Sequence, residues 1–320
     1  MKKKEKSINE LICSKMENLK MNGQLNTAHN YRTLLHFIER NYGIVMASQC
    51  GPEFVQRMYR DMSGLSDSTK ASYFAYFKAI WQFAEYMGYT GKAAFPFQRK
   101  AYEADKVRIP RMARRTEHYL TRDDMTRIYN YWKGMEDGVR KRYIAVFLFS
   151  YLANGANVAD LLRLTYNTDW FSSGGRVLSF VRHKTASRTG IKVRIPVTNW
   201  LKDVMDYLAD EPVRGMPVLG SFLNGADLRD EDRVMKRIMC VNNSTSKILR
   251  KELKKIGIRE DICVTMARHS YSTAMHHIGC PFALVEQALG HSNGGNIAFN
   301  YIGHFNDDDL MKWNEMLIVA

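Results

Sequence analysis

A mostly α-helical protein of two domains with one small antiparallel sheet is predicted by three observations. The first hundred residues divide into four amphipathic helical stretches separated by Gly, Pro and cap residues. An aperiodic basic tract around Pro110 then interrupts the pattern. Only one pair of β-rich runs occurs in the chain, RVLSFVR at 176–182 and IKVRIPV at 191–197, joined by HKTASRTG.

Each element has a local cause. Ser7 with Glu10 makes a capping-box pattern before a run that ends near Met21. A second helix is expected after Asn26, with Tyr31, Leu34, Leu35 and Ile38 on one face and a stop at Gly43. A third spans Pro52 to Met62, with Pro in the first turn, where its missing N–H costs nothing. The fourth follows Ser66, carries Tyr73, Phe74, Tyr76, Phe77, Ile80, Trp81, Phe83 and Tyr86, and closes at Gly88. Between Gln98 and Glu117 periodicity gives way to charge: Arg99, Lys100, Lys106, Arg108, Arg111, Arg114 and Arg115. This tract suits a linker lying on phosphates, and equally a solvated tether. Thr121 with Asp124 caps a helix in the second domain, and an apolar helix follows from about Arg140 to Ala153. After the strands, helices are expected to end at Gly257, to contain Arg268, and to run from Pro281 to Gly290. The expected boundaries are 1–104 for a first, helical domain, 105–118 for the basic linker and 119–320 for a second domain.

A chain of 320 residues is long enough for two cores. Its 47 Lys and Arg against 33 Asp and Glu leave a formal charge of +14, which attracts a polyanion and makes nucleic acid the leading partner. The N-terminus MKKKEKSINE has no apolar signal core, and no stretch is long and apolar enough to span a bilayer, so no membrane role and a cytoplasmic location are expected. The five cysteines are scattered and never in a CxxC spacing, which fits buried thiols rather than disulfides or a metal site. No metal and no cofactor are expected.

Three segments of the second half hold polar residues that packing does not require: RHKT at 182–185, ARHS at 267–270 with LGHS at 289–292, and AFNYIGHF at 298–305. In this order and spacing they resemble the tyrosine recombinase (phage integrase) family, of the kind carried by mobile genetic elements. The resemblance covers nearly the whole chain, including FPF at 95–97 before the basic tract. It implies a helical core-binding (SAM-like) domain followed by the family's catalytic domain. It further implies a site-specific recombinase that cleaves and rejoins double-stranded DNA through a 3′-phosphotyrosine, without metal, as a homotetramer on paired sites. Integration, excision and inversion would use the same site; the start of the chain directly on the core-binding domain favours inversion or simple recombination.

The chemistry explains the residue types. Resealing a phosphodiester without ATP requires an intermediate that keeps the bond energy, and a tyrosyl ester does so. The resemblance makes Tyr301, one of 17 tyrosines, the nucleophile. Arg268 matches the family's second catalytic arginine, whose fork suits the non-bridging oxygens of the transition state. Lys184 matches the hairpin lysine that protonates the leaving 5′ oxygen, although Arg182, Arg188 and Lys192 lie close by. His291 matches the histidine of the LGH motif, which would bind the scissile phosphate and in neutral form accept the phenolic proton. The plain structural alternatives are a salt-bridged Arg on a helix face, an ordinary turn Lys and a His at a helix C-terminus.

Two motif positions depart from the family. NGANVAD places Asn157 where its first arginine stands, and TMAR places Thr265 where a histidine stands. Both suit helix N-caps, with Asp160 completing a capping pattern for Asn157. Compensation is expected from Arg163 or from the helix N-terminus, with Asp160 orienting its neighbours, while Thr265 retains only a hydroxyl donor. The alternative is a catalytically weakened or inactive DNA-binding relative. A type IB topoisomerase and a basic structural helical protein are the remaining rivals. The apolar end MLIVA is expected to pack on its own domain or, by the resemblance, to dock on a neighbouring subunit.

Overall fold

Ser7 and Glu10 close a reciprocal capping box at the start of α1 (Ile8–Met21), where the Glu10 amide donates to the Ser7 hydroxyl and the Ser7 amide to the Glu10 carboxylate. The structure is a computed structural model and describes residues 5–112, 117–184, 186, 190–291 and 306–319, with Ala93 in backbone only. Within it the chain separates into two compact units, residues 1–115 and 116–320.

In the first unit, α2 (Leu25–Tyr42) buries Tyr31, Leu34, Leu35 and Ile38 and stops at Gly43, whose φ of 69° suits a residue without Cβ. It begins ahead of Asn26, with Gln24 at the cap position and no side-chain bond there. α3 (Pro52–Asp61) carries Pro52 in its first turn. α4 (Asp67–Tyr86), capped by Ser66, buries Phe74, Phe77, Ile80 and Trp81. Phe83 and Tyr86 are 42% and 84% exposed, so the aromatic stretch is wider than the stripe a helix can turn inward. Phe95, Phe97 and Val107 join this core, and the Gln98 amide donates to the Val107 carbonyl at 2.9 Å. Much of the basic tract is thus folded onto the first unit.

The second unit is built around a helix with no polar face. α5 (Arg122–Lys133) opens with the Thr121–Asp124 capping box, and α6 (Val139–Leu152) follows with every residue from Ile144 to Leu152 buried. A helix that is apolar all round must be covered on all sides. α5, α9 (Asn199–Leu208), α11 (Glu231–Leu253) and α12 (Met266–His277) pack against it. Between α6 and α9 lie the short helices α7 (Val158–Leu161) and α8 (Thr168–Ser172) and the strands β1 (Val177–Val181) and β2 (Lys192–Pro196). The strands pair antiparallel, with Phe180 opposite Val193. α10 (Gly220–Leu223) precedes α11, α13 (Phe282–Leu289) closes at Gly290, and α14 (Asp307–Glu315) ends the fold. No helix of the described residues is long and apolar enough to cross a membrane.

The C-terminal segment packs on its own domain. Leu310, Leu317 and Ile318 are buried, the Tyr151 hydroxyl donates to the Leu317 carbonyl at 3.1 Å, and the Trp200 indole N–H donates to the Glu315 carbonyl at 3.0 Å. Asn314 donates to Asn154 Oδ1 at 2.8 Å and accepts from the Tyr271 hydroxyl at 3.1 Å, all three being buried. Asn154 itself has φ 55° and donates its amide to the Arg194 carbonyl at 2.9 Å. Asn314→Ala should therefore remove both bonds, leave the Tyr271 hydroxyl and Asn154 Oδ1 only their mutual 3.5 Å contact, and destabilise the unit by about 1–3 kcal/mol, read from urea unfolding; an unchanged midpoint would disprove the role of this network.

Candidate active site

Gly290 ends α13 with φ 62°, and this left-handed residue folds the chain back so that the His291 amide donates to the Glu286 carbonyl at 3.0 Å. The turn leaves the carbonyls of Leu289 and Gly290 facing out of the helix C-terminus, where two guanidiniums meet them. Arg268, from α12, donates from Nη2 to the Leu289 carbonyl at 2.7 Å and from Nη1 to the Gly155 carbonyl at 3.2 Å. Arg182, the residue after β1, donates from Nη1 to the Gly290 carbonyl at 3.5 Å. A Cβ on Gly290 would stand 2.9 Å from Arg182 Cδ, and one on Gly155 2.9 Å from Arg268 Cα, so both arginines are packed against bare backbone.

The electrostatics of this pair are unusual. Burial, with the neighbouring charge of Arg182 adding to it, lowers the pKa of Arg268 to about 10, while Asp160 and Glu286 act in the opposite sense. Arg268 still carries its charge at neutral pH. Asp160 is buried on α7 and accepts the His183 amide N–H at 3.0 Å, and its carboxylate lies 4.0 Å from Arg182 Nε. That separation is an ion pair but too long for a hydrogen bond. Arg182 Nε is buried with no hydrogen-bond partner among the described residues. A buried N–H of a cation without an acceptor, next to a second cation, suits an incoming anion.

His291 completes the cluster. Its Nε2 lies 3.0 Å from Arg268 Nη2, and its Nδ1 lies 3.1 Å from both Glu286 carboxylate oxygens.

Other predicted residues fall elsewhere. Asn157 is the N-cap of α7, but its side chain makes no cap bond: the Asp160 amide donates to the Asn157 backbone carbonyl at 2.8 Å, and the Asp160 carboxylate accepts the His183 amide instead of returning to the cap. Thr265 precedes α12 in helical conformation, caps nothing and is exposed, its hydroxyl 3.1 Å from Cys263 Sγ. Arg163 turns away from the cluster: it pairs with Glu231 at 2.6 Å and donates to the Ala159 carbonyl at 3.0 Å. The residue that joins Arg268 is Arg182, which the sequence marks only as one cation among several near Lys184. Lys184 is exposed in the turn after β1. Tyr301 lies outside the described residues, as do Arg114 and Arg115.

In the first unit the basic tract is ordered around an acidic residue. Glu103 accepts the Lys106 ammonium and the Arg99 and Lys100 amides, which together bring its carboxyl down to about 2. The Arg99 guanidinium lies 3.8 Å from the centre of the Phe95 ring, and Arg99, Lys100, Arg108 and Arg111 are exposed.

Residues 118–306 match the model of the phage integrase family, more than half of the chain and all of the cluster just described. The chain belongs to the phage integrase family. Its function class is site-specific DNA recombination by strand cleavage and rejoining. Among solved structures it is similar to the Tn1549 transposon integrase in complex with a circular intermediate DNA, at 17% identity and a TM-score of 0.60 over 96% of this chain and 98% of that one. It is also similar to a lambda integrase tetramer bound to a Holliday junction (15% identity, TM-score 0.55, 91% and 79% covered). The XerH site-specific recombinase bound to its difH substrate matches at 13% identity and a TM-score of 0.53, with 88% and 79% covered. No curated protein sequence matches the chain. Position 157 holds Asn and position 265 holds Thr, and the second guanidinium near Arg268 comes from Arg182.

Proposed function

We propose that this integrase-family chain is a competent recombinase that cleaves DNA through a 3′-phosphotyrosine on Tyr301. The observation that carries it is the pair of guanidiniums, Arg182 and Arg268, converging on the C-terminal turn of α13 beside His291. Two forks at one place offer the non-bridging phosphate oxygens the donors that a developing pentavalent charge requires. Arg182 thereby takes the part of the arginine missing at Asn157, and Asp160 holds the start of the turn in which it sits. Lys184, two residues further on, protonates the leaving 5′ oxygen. The exposed Arg99, Lys100, Arg108 and Arg111, with Lys106, Arg114 and Arg115, contact the phosphate backbone and position the protein without reading sequence. Assembly as a homotetramer on two paired sites is supported by the likeness to the lambda integrase tetramer.

The decisive experiment uses a suicide substrate carrying a nick next to the cleavage site, from which the cut fragment diffuses away. A covalent protein–DNA band is expected, and mass spectrometry of the digested adduct should place the nucleotide on the peptide containing Tyr301. The rival, an inactive DNA-binding relative, predicts retention of DNA with no covalent band. It is disfavoured by the second guanidinium, whose buried Nε–H has no hydrogen-bond acceptor among the described residues.

A further inference from the structure

The two partners of His291 fix its proton. A carboxylate accepts hydrogen bonds and does not donate them; a guanidinium donates and does not accept. Glu286 lies 3.1 Å from Nδ1, so Nδ1 carries the proton, and Arg268 lies 3.0 Å from Nε2, so Nε2 presents a lone pair. The arrangement follows from local chain geometry. Glu286 is on the last turn of α13, and the left-handed Gly290 brings residue 291 back beneath that turn, so the carboxylate five residues upstream meets the ring. Neither group is deeply buried, the side chains being 39% and 24% exposed.

We propose that Glu286 is a positioning residue that makes His291 the proton acceptor for the attacking tyrosine. The inference rests on the recombinase reading above and extends it to a residue outside the motif. Thr265 stands where the family has another histidine and cannot accept a proton at neutral pH, which leaves that part to His291, the imidazole that touches Arg268. When a DNA phosphate draws the Arg268 fork onto its own oxygens, the Nε2 lone pair is freed to accept a proton. The phenolic proton then passes to Nε2, the phenolate oxygen bonds to phosphorus, and the bond from phosphorus to the 5′ oxygen breaks as that oxygen takes a proton from Lys184. The imidazolium formed keeps its Nδ1–H on the Glu286 carboxylate, which offsets its charge. Rejoining returns each proton by the same path.

Imidazole-¹⁵N-labelled full-length protein, observed at a pH where the ring is neutral, reports the tautomer directly. Wild type should show His291 protonated at Nδ1; Glu286→Ala should shift the ring toward the Nε2–H form, and Glu286→Gln, whose amide oxygen still accepts, should retain Nδ1–H. On the suicide substrate, Glu286→Ala should slow adduct formation about tenfold or more with DNA affinity unchanged, Glu286→Gln should recover part of the rate, and in a His291→Ala background Glu286→Ala should add no further loss. Protonation at Nε2 in wild type, or a Glu286→Ala protein with wild-type tautomer and rate, overturns the proposal. If wild type forms no adduct at all, the recombinase reading fails, whereas the spectrum still tests the part assigned to Glu286.

Discussion

Arg182→Ala is expected to lower the rate of covalent adduct formation by about 10²–10³, the usual cost of removing one donor from a developing oxyanion. DNA affinity, dominated by many phosphate contacts, should change far less. Arg182→Lys keeps a charge but loses the planar fork, so it should restore only part of the rate. The contrast with Arg163 makes the experiment specific. Arg163 is neutralised by Glu231 at 2.6 Å, and Arg163→Ala should leave the rate within a few-fold of wild type once any loss of folded protein is corrected for. Arg182→Ala also leaves the buried Asp160 carboxylate without its nearest cation, so thermal unfolding must be measured alongside. An Arg182→Ala protein that is folded and cleaves within threefold of wild type would remove Arg182 from the chemistry.

Gly290→Ala should be the most disruptive small substitution in the second unit. Its Cβ would lie 2.5 Å from Val193 Cγ2 and 2.9 Å from Arg182 Cδ, at a φ of 62° that an L-residue adopts at a cost of roughly 1–2 kcal/mol. Relief of the overlap adds about 1–3 kcal/mol by analogy with overpacked cores. Destabilisation of about 2–5 kcal/mol is expected from these two contributions, measured by urea unfolding. The folded fraction at low temperature should also lose adduct formation, because Arg182 and His291 are both aimed by this residue. An alanine protein of wild-type stability and rate would show that the turn does not organise the site.

What the sequence reveals depends on how far apart the interacting residues lie. The capping boxes at Ser7 and Thr121, the Gly43 and Gly290 stops and the antiparallel strand pair are local, and each occurs as its residues dictate. Motif order brings Arg268 and His291 together although they are 23 residues apart. The placement of Arg182 beside Arg268 is not legible, since RHKT offers two cations, and only the fold buries one near Arg268 and leaves the other in an exposed turn. The capping pattern of Asn157 and Asp160 misleads for a similar reason: Asp160 finds a better donor in the His183 amide, 23 residues on. Arg163 finds Glu231 at a separation of 68 residues, which no local pattern records. Glu286 did leave a signal, a carboxylate five residues before a histidine that follows a helix-ending glycine.

One strand end carries both Arg182 and Lys184, and this has a kinetic consequence. A lone two-stranded ribbon is marginal in water, and this one is held by Leu178, Val193 and Ile195 buried in the core and by Arg194, which pairs with Asp307 on α14 at 2.7 Å and with Asp169 on α8 at 3.3 Å. If the hairpin is docked for a fraction f of the time, two groups on separate elements, each docked with that fraction, would be present together only f² of the time. Carried on one element, they arrive together with probability f. On the roles proposed for these two residues, charge for the phosphate and a proton for the leaving oxygen would be supplied or withheld as a unit.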